Sequence, residues 1–198
     1  MFAVNFDVKS AHMRKQTPRG AGREILVSTA KQLFLKKGTA NVGINDVTAE
    51  AGLAKMTLYN NFSSKDALIA EVYQQVAQEI LAACRHAIAT QMGEWEKISS
   101  LFDNAIEQQA YQRGCPMNHA AFQSLEPEGE IFRLVRNYKR ELRELILNCL
   151  NVNRQNRQLL ADQILILLDG FAMQNYIKAV DSPLDSAKTV VKVLLSDG

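Results

Sequence analysis

Lys55-Met56-Thr57-Leu58-Tyr59-Asn60-Asn61-Phe62-Ser63-Ser64-Lys65-Asp66-Ala67-Leu68 decides the fold. Leu58 and Phe62 are four residues apart, so on a short helix over Thr57 to Phe62 they share an inner face, leaving Thr57, Tyr59, Asn60 and Asn61 outside. Gly52 supplies the turn before this helix, because a positive φ costs glycine nothing, and Leu53 plugs that turn into the core. Ahead of it, Ile44, Val47, Thr48 and Ala51 mark the inner face of a second short helix, with Gly43 as N-cap and Asp46 at the third position. Earlier still, Ile25, Leu26, Thr29, Ala30, Leu33 and Phe34 recur at helical spacing until Lys36-Lys37-Gly38 stops the run. These elements compose a three-helix, helix-turn-helix unit.

Its outward row of hydroxyl, phenol and two carboxamides suits a DNA major groove, where amides pair with adenine and hydroxyls reach phosphate. Charge agrees. Met1 to Lys65 carry ten Lys or Arg against four Asp or Glu, net +6, whereas the rest carries thirteen against seventeen, net −4. The overall +2 hides a basic front end on an acidic remainder.

At this point Gly38 through Leu68 resembles the DNA-binding motif of TetR-type (tetracycline-repressor-like) transcriptional regulators. The match runs through Gly38, Asp46, Ala51, Gly52, Lys55, Thr57, Leu58, Tyr59, Phe62, Ser64, Lys65, Ala67 and Leu68. The resemblance implies that Lys55, Tyr59 and Lys65 hold phosphates while Thr57, Asn60 and Asn61 lie nearest the bases. The chain departs from the family at Gly43, where a threonine usually caps the second helix and touches phosphate. It also departs at Ala54, Met56 and Asn61, in place of a serine, a small residue and a common histidine. A glycine cap costs only a few tenths of a kcal/mol, so these departures bear on operator sequence rather than on class.

The remaining chain reads as helical throughout, giving an all-α fold of about nine helices: a reading head over 22–67 and a larger effector-binding and dimerisation domain over 68–198. Residues 1–21, with Lys9, Arg14, Lys15 and Arg19 against Asp7, form a basic extension read as a flexible tail, or as an arm along DNA. Met13 is an alternative natural start. Ser63-Ser64-Lys65-Asp66 resembles a capping box opening a long fourth helix along Ile69, Val72, Tyr73, Val76, Ile80, Cys84 and Ile88. A tilt imposed on that helix would reach the third helix. Trp95 to Ile106 mark a fifth helix ending near Arg113-Gly114, before the Cys115-Pro116 break. A sixth covers Asn118 to Leu125, and Ile131 to Cys149 form a seventh with one apolar stripe. The eighth, Leu159 to Ile177, is apolar on nearly every side, and Ser182-Pro183-Leu184-Asp185 caps a ninth.

A helix apolar all round must be covered on both sides, by the monomer's own core or by a second subunit. The TetR resemblance favours the latter, with the last two long helices forming a four-helix dimer interface, hence a homodimer on palindromic double-stranded DNA. It also places a small, largely apolar effector between helices five to eight, with Trp95, Phe102, Met117, Asn118, His119, Phe122, Tyr138, Phe171, Gln174 and Asn175 as candidates. No metal-ligand pattern or cofactor motif is present, and no apolar run is long enough to span a bilayer, so a soluble, cytoplasmic protein without cofactor is expected. Cys84 and Cys149 lie on apolar stripes, whereas Cys115, in the break, is a candidate exposed, oxidant-sensing thiol. Two other readings differ in class. One is an architectural or division-control DNA-binding protein acting through a protein partner. The other is an enzyme using Cys115 and His119, which Pro116 between them and the lack of an orienting acid disfavour.

Overall fold

Gly38 ends the first helix with φ 82°, its N–H donating to Phe34 O at 2.8 Å. That conformation is open to glycine and strained for residues with a Cβ. The computed structural model describes residues 20–108, 113–124 and 126–196. Among these it forms nine α-helices: α1 (Ala21–Lys37), α2 (Ile44–Glu50), α3 (Lys55–Asn61), α4 (Lys65–Ala89), α5 (Glu94–Glu107), α6 (Pro116–Gln123), α7 (Glu130–Cys149), α8 (Arg157–Ile177) and α9 (Pro183–Ser196). The basic extension lies outside the described residues up to residue 19, as does the alternative start at Met13.

In the head, Leu26, Val27, Ala30 and Phe34 of α1 meet Val47 of α2 and Leu58 of α3. Val27 turns inward where the spacing pointed to Ile25, which is exposed. The first turn of α2 closes as expected, with Gly43 N–H donating to Asp46 Oδ2 at 2.7 Å. Gly52 turns the chain with φ 65°. α3 starts earlier than the sequence pattern indicated, because Ala54 is extended and its carbonyl already accepts from Thr57 N–H at 2.8 Å. Ser64 caps α4 by accepting from Ala67 N–H at 3.0 Å, while Ala67 itself cannot supply the return half of a capping box.

Ion pairs fix α1 along α4. Arg23 donates to both oxygens of Glu71 at 2.9 and 3.1 Å, and Lys31 pairs with Glu79. These bonds from Arg23 hold the Glu71 carboxyl below its ordinary range against the opposing effect of burial. The same guanidinium lies 5.0 Å from the Phe62 ring centroid, covering the end of α3.

α4 continues into the body, where it packs on α5 and α7; α7 packs on α8, and α9 closes against α8 and α5. Phe102, Tyr138, Leu142, Ile146, Leu160 and Ile164 form the centre of this body. α5 stops at Glu107, short of the Arg113-Gly114 end read from the sequence, and residues 109–112 lie outside the description. α6 begins before Asn118, because Pro116 fits the first helical position, where its missing N–H is no loss; Leu125 lies outside the described residues. A polar knot joins α5, the α7–α8 loop and α9. Glu94 accepts from Asn151 N–H at 2.7 Å and from Arg154 at 2.9 and 3.0 Å, and Arg154 donates to Leu195 O at 2.6 Å. No described helix is long and apolar enough to cross a membrane.

Candidate nucleic-acid interface and the polar cluster of the body

The seven residues of α3 divide by their rotation about its axis. Leu58 is fully buried, Phe62 just beyond the helix is nearly so, and on the opposite side Met56 and Asn60 project into solvent. Lys55 and Tyr59 occupy one flank, with the Lys55 ammonium 5.9 Å from the Tyr59 ring centroid. Thr57 and Asn61 occupy the other. There Asn61 Nδ2 donates back to Thr57 O at 2.7 Å, and the Thr57 methyl lies so near α1 that a Cβ at Gly22 would stand 3.3 Å from it.

The structure thus brings Lys55, Tyr59 and Asn60 to the surface as the sequence suggested, while turning Thr57 partly toward α1. The exposed Met56 belongs beside them. Its position directly before Thr57 was the signal for it, and a thioether arm there suits contact with a thymine methyl. Lys65 stands off α3, at the first turn of α4, and its ammonium donates to Thr39 O at 2.7 Å. An ammonium carries three donors, so that bond leaves it able to meet a phosphate.

In the body the effector candidates separate. Phe102, Met117, Tyr138 and Phe171 are buried, the Phe102 and Phe171 ring centroids 5.6 Å apart. Around them lies a polar cluster that helical spacing did not reveal. Asp169 of α8 pairs with Lys139 of α7 and accepts from Asn118 Nδ2 of α6 at 3.2 Å. The Lys139 ammonium also reaches Cys115 Sγ at 3.8 Å. His119 packs edge-on against Tyr176, and its Nε2, like Gln174 Oε1, is buried with no hydrogen-bond partner among the described residues. Asn175 is half-buried on the same turn of α8. Two candidates lie apart. Phe122 is 74% exposed on the outer side of α6, so it lines no interior pocket, and Trp95 sits under the Lys192 ammonium of α9 at 4.6 Å from its ring centroid.

Cys115 is not the exposed thiol that its place in the chain break suggested. It is 4% exposed, because Pro116 opens α6 directly after it and folds it inward. Burial pushes its thiol up from the ordinary value, with the nearby Lys139 charge pulling the other way. A thiol so placed is a poor nucleophile at neutral pH.

Residues 26–72, which hold α2 and α3 with most of α1 and the start of α4, match the family model of bacterial regulatory proteins of the tetR family. Over most of its length the chain is 24% identical to the HTH-type transcriptional regulator BetI of Agrobacterium fabrum, covering 86% of this chain and 84% of that one. It is 25% identical to the HTH-type transcriptional repressor DhaR of a Mycobacterium species, covering 85% and 89%. The fold superposes on a TetR-family transcriptional regulator from Streptomyces coelicolor with a TM-score of 0.80 at 23% identity, over 89% of this chain and 95% of the other. The tetR family model covers the reading head, and the likeness in sequence and architecture runs along most of the chain; together they support a TetR-type DNA-binding transcriptional regulator.

Proposed function

We propose that this regulator is a repressor that binds a palindromic operator as a homodimer and is released by a small, largely apolar effector. The observation that carries the dimer is an uncovered apolar strip along α8 and α9. Ile166 is 70% exposed, with Leu159, Ile177, Val190 and Val193 exposed around it, and an apolar groove of about 350 Å³ runs between the two helices past Gly170 and Ala187. Hydrophobic area on that scale is what a second copy would remove from water. Two heads related by a two-fold axis then present two copies of Met56, Tyr59 and Asn60, and the operator repeats their symmetry. Lys55, Tyr59 and Lys65 hold phosphates in this reading. Effector binding is supported by the buried polar atoms left unpartnered on His119 and Gln174, in a body whose candidates Phe102, Met117 and Phe171 are buried and apolar; polar groups set among apolar ones fix orientation in ligand sites. The Mycobacterium relative is a transcriptional repressor by name, and the repressing role is carried over from it.

The test is selection of random duplex DNA by the wild-type protein and by Ile166→Asp, with light scattering on both. The wild type is expected to be a dimer that enriches a two-fold symmetric sequence. Ile166→Asp, exposed in the monomer and therefore foldable, is expected to be monomeric and to bind the enriched duplex about a hundredfold more weakly, since the second head's contacts are lost. A monomeric wild type refutes the dimer. Enrichment of many unrelated sequences, with no symmetric motif, points instead to an architectural DNA-binding protein.

A further inference from the structure

Thr39 lies just past the end of α1, where the chain leaves the helix through Gly38, and it is 6% exposed. Its polar groups therefore need partners within the protein. They are supplied from the body, 84 residues away. Gln123 Oε1, at the end of α6, accepts from Thr39 N–H at 2.6 Å and from Thr39 Oγ1 at 2.6 Å, with Ala40 N–H at 3.4 Å. On its other side Thr39 O accepts from Lys65 Nζ at 2.7 Å. The contact is close: a Cβ at Gly38 would stand 3.0 Å from Gln123 Nε2, so the glycine admits the side chain as well as the turn. Arg113 adds a second tie from the body, donating to Lys36 O at 2.6 Å.

The Gln123 side chain stands between two open crevices. One, of about 120 Å³, is lined by Phe34, Tyr73 and His119, and the other, of about 380 Å³, by Asp66, Ile69 and Glu130. Across this part of the junction the link is thus carried by two bridging side chains, Gln123 and Arg113, rather than by a packed surface.

We propose that Gln123 is a positioning residue for DNA binding: through Thr39 it holds the Lys65 ammonium where that ammonium meets a phosphate. Gln123 touches no DNA itself. By accepting from Thr39 N–H and Oγ1 it fixes the residue, and by accepting from Ala40 N–H, which shares a peptide group with Thr39 O, it places a hydrogen bond in series with that carbonyl, so Lys65 meets a fixed and strengthened anchor. A side chain of the body is thereby wired to a contact of the reading head without passing through α3. The assignment rests on the reading of Lys65 as a phosphate contact.

The test is a double-mutant cycle, measuring anisotropy against salt on a fluorescein-labelled duplex of mixed sequence. Gln123→Met keeps the length and removes the acceptor. It is expected to weaken binding roughly tenfold and to lower the salt slope by about one, as Lys65→Met does alone. In the double variant the second change is expected to add nothing, because both remove the same contact. Exchange of the Thr39 and Ala40 amides is expected to accelerate in Gln123→Met. Gln123→Glu, which keeps the accepting oxygens, is expected to retain the wild-type slope, and it carries the test if Gln123→Met fails to fold. Losses that add, or a silent Gln123→Met beside an effective Lys65→Met, overturn the positioning role alone. A Lys65→Met variant with unchanged slope overturns both this role and the phosphate reading on which it rests.

Discussion

The head and the body satisfy their polar groups over different distances. In the head, beside the ion pairs of α1 with α4 and the Lys65–Thr39 bond, the short helices close locally: Gly43 meets Asp46, Thr48 Oγ1 meets Ile44 O, and Asn61 meets Thr57 O, each within four residues. In the body the corresponding bonds join separate elements: Asn118 to Asp169, Glu94 to Arg154 of the α7–α8 loop, Lys188 to Asp103. Among the described residues the buried side-chain atoms without partners, on His119, Arg154, Arg157 and Gln174, all lie in the body. A locally closed unit keeps its shape whatever its surroundings, which is what a DNA-reading surface needs. A unit closed only across helices, with polar atoms left unpaired, gains when another molecule pairs them. Thr39 is where the two regimes meet, a head residue satisfied by the body.

The largest effect should come from removing the centre of the head. Leu58 is fully buried in a core made by three helices, two of them of seven residues. Leu58→Ala is expected to cost about 3 kcal/mol, within the range for truncating a buried leucine. In so small a core that loss should abolish DNA binding while the body stays helical. Leu101→Ala, at an equally buried site of the larger body, should cost a similar amount in the melt yet leave the α3 surface intact. Thermal unfolding by circular dichroism with anisotropy on both variants checks this. Equal loss of DNA binding from the two would break the comparison, because head and body would then unfold as one.

The same difference in range explains what could be read from the sequence. Leu58 with Phe62, the Gly52 turn and Gly43 with Asp46 are patterns a few residues long, so the head was legible almost to the residue, as was Pro183 at the first position of α9, whereas α4 is capped by Ser64 without the box read over Ser63 to Asp66. The apolar stripes of α4, α7 and α8 were legible for the same reason. Lys139, Asp169 and Gln123 were not, since a lysine, an aspartate and a glutamine among helical polar positions carry no mark of a partner tens of residues away. Cys115 and Phe122 were misplaced because the position of α6 depends on Pro116 starting the helix early, which rotates the cysteine inward and the phenylalanine outward. At α3 the outward face could be read from residue spacing, but not the local bonds that turn Thr57 and Asn61 onto their own flank.

A smaller, pH-dependent effect should come from the knot at Glu94. Burial raises its carboxyl, but the bonds from Arg154 and from Asn151 N–H outweigh burial and leave it below the ordinary value. A carboxyl depressed in the folded state stabilises above its unfolded pKa, and the contribution fades as pH falls through the folded value. Glu94→Gln keeps the size and loses the charge. It is expected to cost about 1–2 kcal/mol at neutral pH, the range of a charge-assisted bond partly open to solvent. The gap from wild type should close below about pH 4. Urea unfolding at both pH values measures it, and a gap that persists at low pH would show that packing rather than charge holds α5 to α9.

The smallest expected effect is none, and it probes how tightly the body closes. All three cysteines lie outside the head's three helices, on α4, before α6 and at the end of α7, and all are buried. Burial pushes the Cys84 and Cys149 thiols up to about 11, and Cys115 also upward. At neutral pH the reactive thiolate is then scarce as well as covered. Iodoacetamide is expected to leave all three unmodified in the folded protein, and peroxide to leave DNA affinity unchanged, while urea exposes all three together. The informative departure is selective labelling of Cys115. Cys84 and Cys149 sit on long helices, whereas Cys115 is held in by the short α6 and its neighbour Lys139. Labelling confined to Cys115 would mean that α6 opens while the rest of the body stays shut, and α6 is the helix that carries Gln123 to the head.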